Sequence, residues 1–219
     1  MKKRMFFIGG LFLLCAMSLY AQQYVDTYDR DDDKIKSLLG KENDLNGFGA
    51  MDLKVGDFIG ERALLMGAYG GFIINRRYLL GLAGYGLLTE VQFDGTIPGE
   101  TTNKPLNLHG GYGGVKIGWT IAPRELIHIS LPVILGVGAV EVSDEDFFVN
   151  NPADSEFTIE NSAFFIVEPG IELEFNITKF FRVGAGATYR HIAGTELTNI
   201  ADGDLKGFSG LISFRFGRF

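Results

Sequence analysis

The sequence predicts an all-β fold, an eight-stranded antiparallel up-and-down transmembrane β-barrel. Two observations predict it: the spacing of the breaks between apolar, glycine-rich runs, and the alternation of residue types along those runs. Short breaks lie at 75–77, 122–125 and 177–179, and longer ones at 57–62, 94–105, 143–161 and 192–205. This rhythm is typical of outer-membrane barrels, whose periplasmic turns are short and whose extracellular loops are long.

Residues 1–21 are predicted to be an export signal that is removed. A basic start at residues 2–4 precedes an apolar stretch, and cleavage after Ala21 would leave a polar Gln22 at the new N-terminus. The apolar stretch is short for a transmembrane helix, which needs about 20 residues. The only cysteine, Cys15, leaves with the signal, so we expect no disulfide, catalytic thiolate or thiol-bound metal.

The mature chain is acidic. The sequence holds 20 Lys+Arg and 27 Asp+Glu, and residues 1–21 contain three of the cations and none of the acids, which leaves 17 against 27 and a net charge of −10. This charge argues against nucleic acid as a partner, since binding it needs a basic surface. Residues 22–43 are predicted to be an acidic periplasmic leader, in which Asp31–Asp33 is a solvated charge run and not a calcium loop.

The barrel is predicted to occupy residues 44–219 as one domain. In the first strand Leu53 lies between Asp52 and Lys54, so that apolar and charged residues take opposite faces. Residues 64–71 and 79–88 are apolar on both faces, and we therefore expect part of the lumen to be apolar.

The later strands alternate more clearly. Apolar residues alternate with glycine, Glu, Arg, Ser or His in the runs 127–139, 165–175, 181–190 and 208–216. A soluble sandwich would also alternate, with its apolar residues inward. Charges among glycines fit a cramped polar lumen and cannot face lipid, so we expect the apolar face to point outward.

Aromatic residues recur at both ends of the apolar faces. They are spaced eight to ten residues apart within a strand, which at ~3.3 Å per residue and a tilt of ~40° corresponds to about 20–25 Å of height. This height matches the apolar band between two aromatic girdles. The predicted girdle comprises Phe93, Trp119, Phe165, Phe175, Phe181, Tyr189, Phe208, Phe214 and Phe216.

With these features the chain resembles the small eight-stranded outer-membrane barrels, and is similar to the OmpA membrane domain, OmpX and OmpW. The resemblance covers about residues 44–219 and rests on architecture and on the aromatic end Phe214-Arg215-Phe216-Gly217-Arg218-Phe219. It implies that the barrel assembly machinery recognises the last strand, although Phe219 is out of step with Phe214 and Phe216. It also implies a monomer in contact with outer-membrane lipid and lipopolysaccharide.

An eight-stranded lumen is just wide enough for side chains to fill, so an open pore is not expected. The predicted lumen charge network comprises Asp52, Lys54, Glu90, Lys116, Glu168, Glu172, Glu174, Arg182, Arg190 and Arg215. We expect Glu174 to face Arg182 across a hairpin, with Arg215 at similar depth. The network is interpreted as buried charge that neutralises itself, because an unpaired buried ion costs several kcal/mol; a gate or proton path is the functional alternative.

His128 and Ser130 invite comparison with lipid A deacylases, which use a His, a Ser and a Glu on a barrel wall. They follow the short break at 122–125, so we expect a hydrogen-bonding pair on the lumen face at the periplasmic end, and no catalytic triad. His109 and His191 show no paired spacing for a metal. No catalytic residue, metal or cofactor is therefore predicted.

The longest loop, residues 143–161, is the main candidate for binding. It contains three acids and two adjacent aromatics: Asp144, Glu145, Asp146, Phe147 and Phe148. This combination could bind a partner, or bind lipopolysaccharide phosphates through bridging divalent cations. The alternative is a solvated loop whose aromatic side chains fold back on the rim of the barrel.

The predicted function is a non-enzymatic outer-membrane barrel that acts through its outer loops in binding or adhesion, or that supports the envelope. An OmpW-like conduit for small apolar solutes is the next hypothesis, which a lumen packed by side chains would contradict. A lipid A-modifying enzyme and a soluble periplasmic lipocalin-like binder are two further hypotheses that fit the pattern less well.

Overall fold

The computed structural model describes residues 44–97, 102–143 and 158–219. Within these ranges the elements in chain order are β1 (Leu45–Phe58), β2 (Glu61–Ile74), β3 (Tyr78–Leu87), β4 (Val91–Thr96), β5 (Asn103–Ile121), β6 (Ile127–Ser143), β7 (Thr158–Asn176), β8 (Phe181–Ala193), α1 (Asp202–Leu205) and β9 (Gly207–Gly217). The predicted signal, 1–21, and leader, 22–43, lie outside the described residues and stay predictions.

The strands form one antiparallel sheet that closes on itself. Apart from β3 and β4, each strand pairs with its neighbour in sequence, and the sheet closes because β1 pairs with β9 and β3 pairs with β5. Both β3 and β4 pair with β5, because they are two parts of one barrel strand interrupted at residues 88–90. The barrel therefore has eight strand positions, and the predicted fold class is confirmed. No helix in the described ranges is long and apolar enough to cross a membrane.

The two faces of the sheet are inverted relative to a soluble protein. In β1, Asp52 and Lys54 are fully buried inside the barrel, whereas Met51, Leu53 and Val55 on the other face are exposed. The same inversion continues around the barrel, where large apolar residues such as Leu82, Ile117, Ile171 and Ile212 are exposed on the outward face. Such an exterior is stable in hydrocarbon, whereas in water it would be an aggregation surface.

One end of the barrel, here called the turn end, carries short connections at 75–77, 122–126 and 177–180, and the opposite end is the loop end. The β1–β2 connection at the loop end was predicted to be long, over 57–62, and this prediction is wrong. Phe58 pairs with Glu61, so only Ile59 and Gly60 form the turn. Both have positive φ, 53° and 80°, which is the backbone of a type I′ turn and matches the twist of a hairpin.

The loop end is much taller on one side than on the other. β8 ends at Ala193, which pairs with Phe165, yet β7 begins seven residues before Phe165, at Thr158. β5 and β6 extend in the same way, and β4 pairs only with the outer part of β5. Seven residues at ~3.3 Å each correspond to roughly 20 Å of strand beyond the shorter side. We call this projection, formed by β4 and the loop-end parts of β5, β6 and β7, the tall wall.

The chain between β8 and β9, residues 194–206, closes the open side of the tall wall and is called the cap segment. On one edge Thr96 N donates to Asn199 Oδ1 at 3.2 Å and Asn199 Nδ2 donates to Thr96 O at 2.8 Å. On the other edge Glu196 N donates to Ser162 Oγ at 2.8 Å. The cap segment was predicted only as a loop, but it joins both edges of the wall.

An apolar core fills the space between the tall wall and the cap segment. Ile200 and Leu205 of the cap segment are buried. They belong to a cluster with lumen-facing wall residues, namely Val91, Leu106, Leu108, Val140, Val142, Phe164, Ile166 and Ile192. The apolar part of the lumen expected from residues 64–71 and 79–88 includes Leu65 and Leu79 of the same cluster.

We expect Gly136→Ala to destabilise the barrel by about 1–3 kcal/mol, the usual cost of overpacking. A Cβ at position 136 would lie 2.1 Å from Gly113 O and 2.8 Å from Gly114 Cα, so the backbones of β5 and β6 would have to separate. Gly84→Ala is the matched control, because a Cβ there meets nothing within 4 Å. Urea unfolding in detergent measures both, and equal stability of the two variants would contradict the close approach.

Candidate functional site

The outward face carries aromatic residues near both of its ends, in two belts. Phe181 stacks on Phe216 near the turn end, with ring centroids 4.9 Å apart, and Tyr189 lies 4.9 Å from Phe208 near the loop end. Of the predicted girdle, the structure places Trp119, Phe165, Phe175, Phe181, Tyr189, Phe208, Phe214 and Phe216 on this face.

The prediction for Phe93 is wrong. Phe93 lies on β4 in the tall wall, pairs with the fully buried Leu106 and packs against the apolar core. It shares the inner face with Val91, whereas Gln92 and Asp94 are exposed on the other side. The reason is that β4 projects beyond the barrel rim, where the apolar face turns inward to the core and the polar face meets water.

The lumen at the turn end is organised around Glu174. Its Oε1 accepts from Arg215 Nη1 at 2.6 Å, its Oε2 lies 3.0 Å from His128 Nε2, and Arg182 Nη1 is 3.6 Å away. The expected approach of Glu174, Arg182 and Arg215 is therefore present. The register differs from a direct pair, however, since Glu174 is opposite Gly184 and the contact with Arg182 is diagonal.

Glu172 is the centre of the next layer toward the loop end. It accepts from Arg215 Nη2 at 3.1 Å and from Lys116 Nζ at 3.4 Å. Lys116 Nζ also lies 3.6 Å from Asp52 Oδ2. Tyr85 OH donates to the same Asp52 oxygen at 2.7 Å. Two carboxylates thus share one lysine, and Arg215 joins this layer to the one below.

The third layer contains Lys54 and Glu168. Lys54 Nζ donates to Glu168 Oε1 at 2.5 Å, and Tyr112 OH donates to Glu168 Oε2 at 2.5 Å. Lys54 also lies over the ring of Tyr85, 3.6 Å from its centroid. Both charged groups are buried, so the charge-assisted bonds and the cation–π contact replace their lost hydration.

Arg190 is the network residue nearest the loop end, and its short hydrogen bonds go to backbone carbonyls and not to a carboxylate. Its Nε donates to Leu205 O at 2.6 Å and its Nη2 donates to Asp57 O at 2.7 Å. Its guanidinium lies 3.5 Å from the ring centroid of Phe58. Arg190 therefore attaches the cap segment to β1 and separates the charged lumen from the apolar core.

Nine of the ten predicted network residues are buried in this lumen. Four are carboxylates, Asp52, Glu168, Glu172 and Glu174, and five are cations, Lys54, Lys116, Arg182, Arg190 and Arg215. The tenth, Glu90, is not part of the network. It lies half-buried in the interruption between β3 and β4, where the strand leaves the barrel ladder.

His128 and Ser130 are on the lumen face near the turn end, as expected, but they do not form the expected pair. His128 bonds Glu174 through Nε2, and its Nδ1 lies 3.4 Å from Glu125 O. Within the part of the chain that the structure describes, Ser130 Oγ has no hydrogen-bond partner. Both imidazole nitrogens face groups other than Ser130, and the site is buried, so this arrangement cannot act as a nucleophilic triad.

Both ends of the lumen are closed by side chains. At the turn end the ring of Phe219 lies 3.9 Å from the guanidinium of Arg182, so the last residue turns into the barrel mouth. This position explains why Phe219 does not follow the alternation that places Phe214 and Phe216 on the outward face. At the loop end, the cavity lined by Phe58, Leu65, Tyr112, Arg190 and Leu205, among others, has a volume of only about 10 Å³.

The cap segment carries its own polar contacts. Thr195 N and Gly194 N donate to the carboxylate of Asp202 at 2.8 and 3.2 Å. The hydrogen bonds from Thr195 and then Gly194 hold the pKa of Asp202 below its ordinary value. Glu160 accepts from Thr198 N at 3.0 Å. These contacts give the cap segment a defined conformation over the lumen.

Three lumen tyrosines were missed by sequence reasoning, although a local pattern marks them. Each lies between two small residues: Ala68-Tyr69-Gly70, Gly84-Tyr85-Gly86 and Gly111-Tyr112-Gly113. Their rings are buried, and Tyr85 stacks on Tyr112 at 5.1 Å. Tyr69 OH accepts from Arg215 Nε at 2.9 Å. In these three strands, a tyrosine between two small residues therefore marks a position where the large side chain points into the lumen and its neighbours on the outward face are small.

The loop residues Asp144, Glu145, Asp146, Phe147 and Phe148 lie outside the described residues, and their role stays a prediction. Among the residues that the structure describes, no group of three or more His, Cys, Asp or Glu side chains is arranged to hold a metal.

No family model matches this sequence, and no curated protein sequence matches it. Solved structures to which the chain is similar include the N-terminal β-barrel domain of Pseudomonas aeruginosa OprF, with 9% identity over 78% of this chain and 96% of that chain, TM-score 0.45. Neisserial surface protein A has 13% identity, coverages of 81% and 99%, and a TM-score of 0.47. Ail, the attachment invasion locus protein of Yersinia pestis, has 14% identity, coverages of 79% and 97%, and a TM-score of 0.42.

We expect Glu168→Gln to lower the free energy of unfolding by about 3–5 kcal/mol, since Lys54 would remain buried without an opposite charge beside it. Asp44→Asn is the matched control. It breaks the exposed Arg76–Asp44 pair, with Nε–Oδ2 at 3.0 Å, and should cost at most about 1 kcal/mol. Urea unfolding in detergent compares the two. Equal losses would show that burial does not control the strength of the lumen pairs.

Proposed function

We propose that the protein is a non-catalytic outer-membrane β-barrel that acts at the outer surface by presenting its loops on a sealed, rigid platform. The tall wall is the observation that carries this proposal. Its strands continue for roughly 20 Å of strand length beyond the shorter side of the barrel, and its own apolar core and cap segment hold it there. Two of the ranges outside the described residues, 98–101 and 144–157, connect strands of this wall.

The geometry of the described residues favours this function over a conduit, a soluble binder and an enzyme. A lumen filled by ion pairs and closed at both ends leaves no route for an apolar solute, which argues against an OmpW-like conduit. A soluble lipocalin-like binder would carry its apolar residues inside, whereas here Leu82, Phe165 and Phe208 are 68–72% exposed on the outside. The buried His128 is paired with Glu174, which argues against a lipid A-modifying enzyme.

The charge at the loop end limits the partners that this surface can bind. Acids predominate among its described residues: Asp57, Glu61, Glu90, Asp94, Glu141, Glu160, Glu196, Asp202 and Asp204, against the cations Arg62, Lys104 and Lys206. An acidic surface attracts basic partners, and it approaches the phosphates of lipopolysaccharide only through divalent cations. The loop acids Asp144, Glu145 and Asp146 add to this field.

We expect the protein in the outer-membrane fraction, with a gel mobility that changes on boiling, because a closed hydrogen-bonded ring resists detergent until it is heated. We also expect no steady ion current from the purified protein in a planar bilayer, because the lumen is filled. Recovery in the soluble periplasm without a mobility shift would contradict the membrane barrel. A steady current from a protein that still shows the mobility shift would contradict the filled lumen, but not the membrane barrel.

Neutralising the long loop, by Asp144→Asn, Glu145→Gln and Asp146→Asn, should weaken binding of purified lipopolysaccharide measured in the presence of Ca²⁺. The expected loss is about tenfold, equivalent to about 1.4 kcal/mol of binding free energy, and EDTA should cause a similar loss in the unchanged protein. Asp57→Asn, Glu61→Gln and Asp94→Asn form the matched control, since they remove the same charge from the loop end outside this loop. Equal losses in both triple variants would contradict a specific role of the long loop.

A further inference from the structure

Two turns at the turn end enclose an open pocket of about 360 Å³, here called the basin. Its lining residues are Asn75, Arg76 and Arg77 from the β2–β3 turn, and Ala122, Pro123, Arg124 and Glu125 from the β5–β6 turn. The turns are adjacent because β3 pairs with β5, and Thr120 N donates to Arg77 O at 2.8 Å. The barrel framework therefore fixes the distance between the two arginine-bearing turns.

The basin has an excess of positive charge. Arg76 is neutralised by Asp44. Arg77 and Arg124 are exposed, and neither has an ion pair within the described ranges. Glu125 is the one acid of the lining, and its contacts to Asn176 and His128 are made by its backbone oxygen. Two guanidinium groups thus remain available to an anion at one site on the rim.

An apolar strip begins directly beside the basin on the outward face. Tyr78, next in the chain to Arg77, pairs with Trp119, and the two side chains are 49% and 44% exposed. The next outward pair, Leu80 and Ile117, is also exposed. Positive charge, then an aromatic pair, then aliphatic side chains follow one another along the β3–β5 seam. This is the order of chemistry in a phospholipid, from phosphate through the interface to the acyl chains.

We propose that the basin binds the phosphate of an anionic glycerophospholipid in the leaflet at the turn end, with its acyl chains against the β3–β5 seam. The inference rests on the proposed membrane location. Arg77 and Arg124 contact the phosphate, and Tyr78 and Trp119 contact the glycerol and the first part of the chains. The acidic leader, residues 22–43, is a competing anion, but it offers no acyl chain for the apolar strip.

The single tryptophan of the chain provides the measurement, because Trp119 lies in the proposed site. The full protein is reconstituted in phosphatidylcholine bilayers that contain a minor fraction of either brominated phosphatidylglycerol or brominated phosphatidylcholine. Bromine quenches tryptophan on contact, so the ratio of the two quenching efficiencies reports the lipid beside Trp119. An arginine near the surface favours anionic lipid by ~1 kcal/mol, so we expect enrichment of phosphatidylglycerol by about fivefold or more.

Arg77→Gln with Arg124→Gln should remove the preference and leave the gel mobility shift unchanged. Lys179→Gln with Arg218→Gln is the matched control, since both residues are exposed and lie at the turn end, outside the basin. This control should retain the preference. Loss of preference in both double variants would show general attraction to a basic rim and would overturn the site.

The remaining outcomes separate the two proposals. If neither brominated lipid quenches Trp119, the membrane location itself fails. If both quench equally in the unchanged protein, the barrel is in the membrane but the lipid site is wrong. If a preference appears only after Asp31→Asn, Asp32→Asn and Asp33→Asn, the leader occupies the basin, which also overturns the lipid as its occupant.

Discussion

Pairing of the lumen charges is the constraint on which the rest of the structure depends. The outward face is apolar, so a charged side chain in a barrel strand has only the narrow interior, where an isolated ion costs several kcal/mol. Glu172, Glu174 and Glu168 each contact at least one cation, and Arg215 joins two of them. These contacts come from β1, β5, β7 and β9, so the network holds opposite walls of the barrel at fixed distances.

The two ends of the lumen follow from the same constraint. At the loop end the charged layers stop at Arg190, whose partners are backbone carbonyls of β1 and the cap segment. Beyond it the interior is apolar, and the protein there resembles a small soluble domain in which hydrophobic residues face inward. At the turn end the charge is covered by one aromatic ring, that of Phe219. Arg190 thus marks the boundary between a charged interior on the membrane side and an apolar interior in the projecting part of the barrel.

The sequence predicted the fold and most of the lumen network because both depend on local alternation. Asp52, Glu172 and Arg215 could be placed inside from their neighbours alone. Phe93 could not be placed, because whether its strand meets lipid or the apolar core depends on how far β4 projects, which is a tertiary property. The cap segment was missed for the same reason, since Ile200 and Leu205 have no period and acquire their role only from the facing wall. The short turn at Ile59 and Gly60 was missed because the polar residues around it belong to the strands.

Tyr69 and Tyr85, each between two small residues, determine which faces of β2 and β3 point into the lumen. β2 and β3 are apolar on both sides, so hydrophobic alternation alone would allow either strand to slip by one position, which exchanges its two faces. Such a slip would turn the hydroxyls of Tyr69 and Tyr85 toward lipid, and Lys116 and Lys54 would lose the rings over which they now lie. The shifted pairing would then leave a cavity in the lumen and two phenol hydroxyls in lipid, and both are unfavourable. Glycine beside tyrosine therefore favours one register of β2 and β3 over the register shifted by one residue, in the part of the barrel where hydrophobic alternation alone does not select between them.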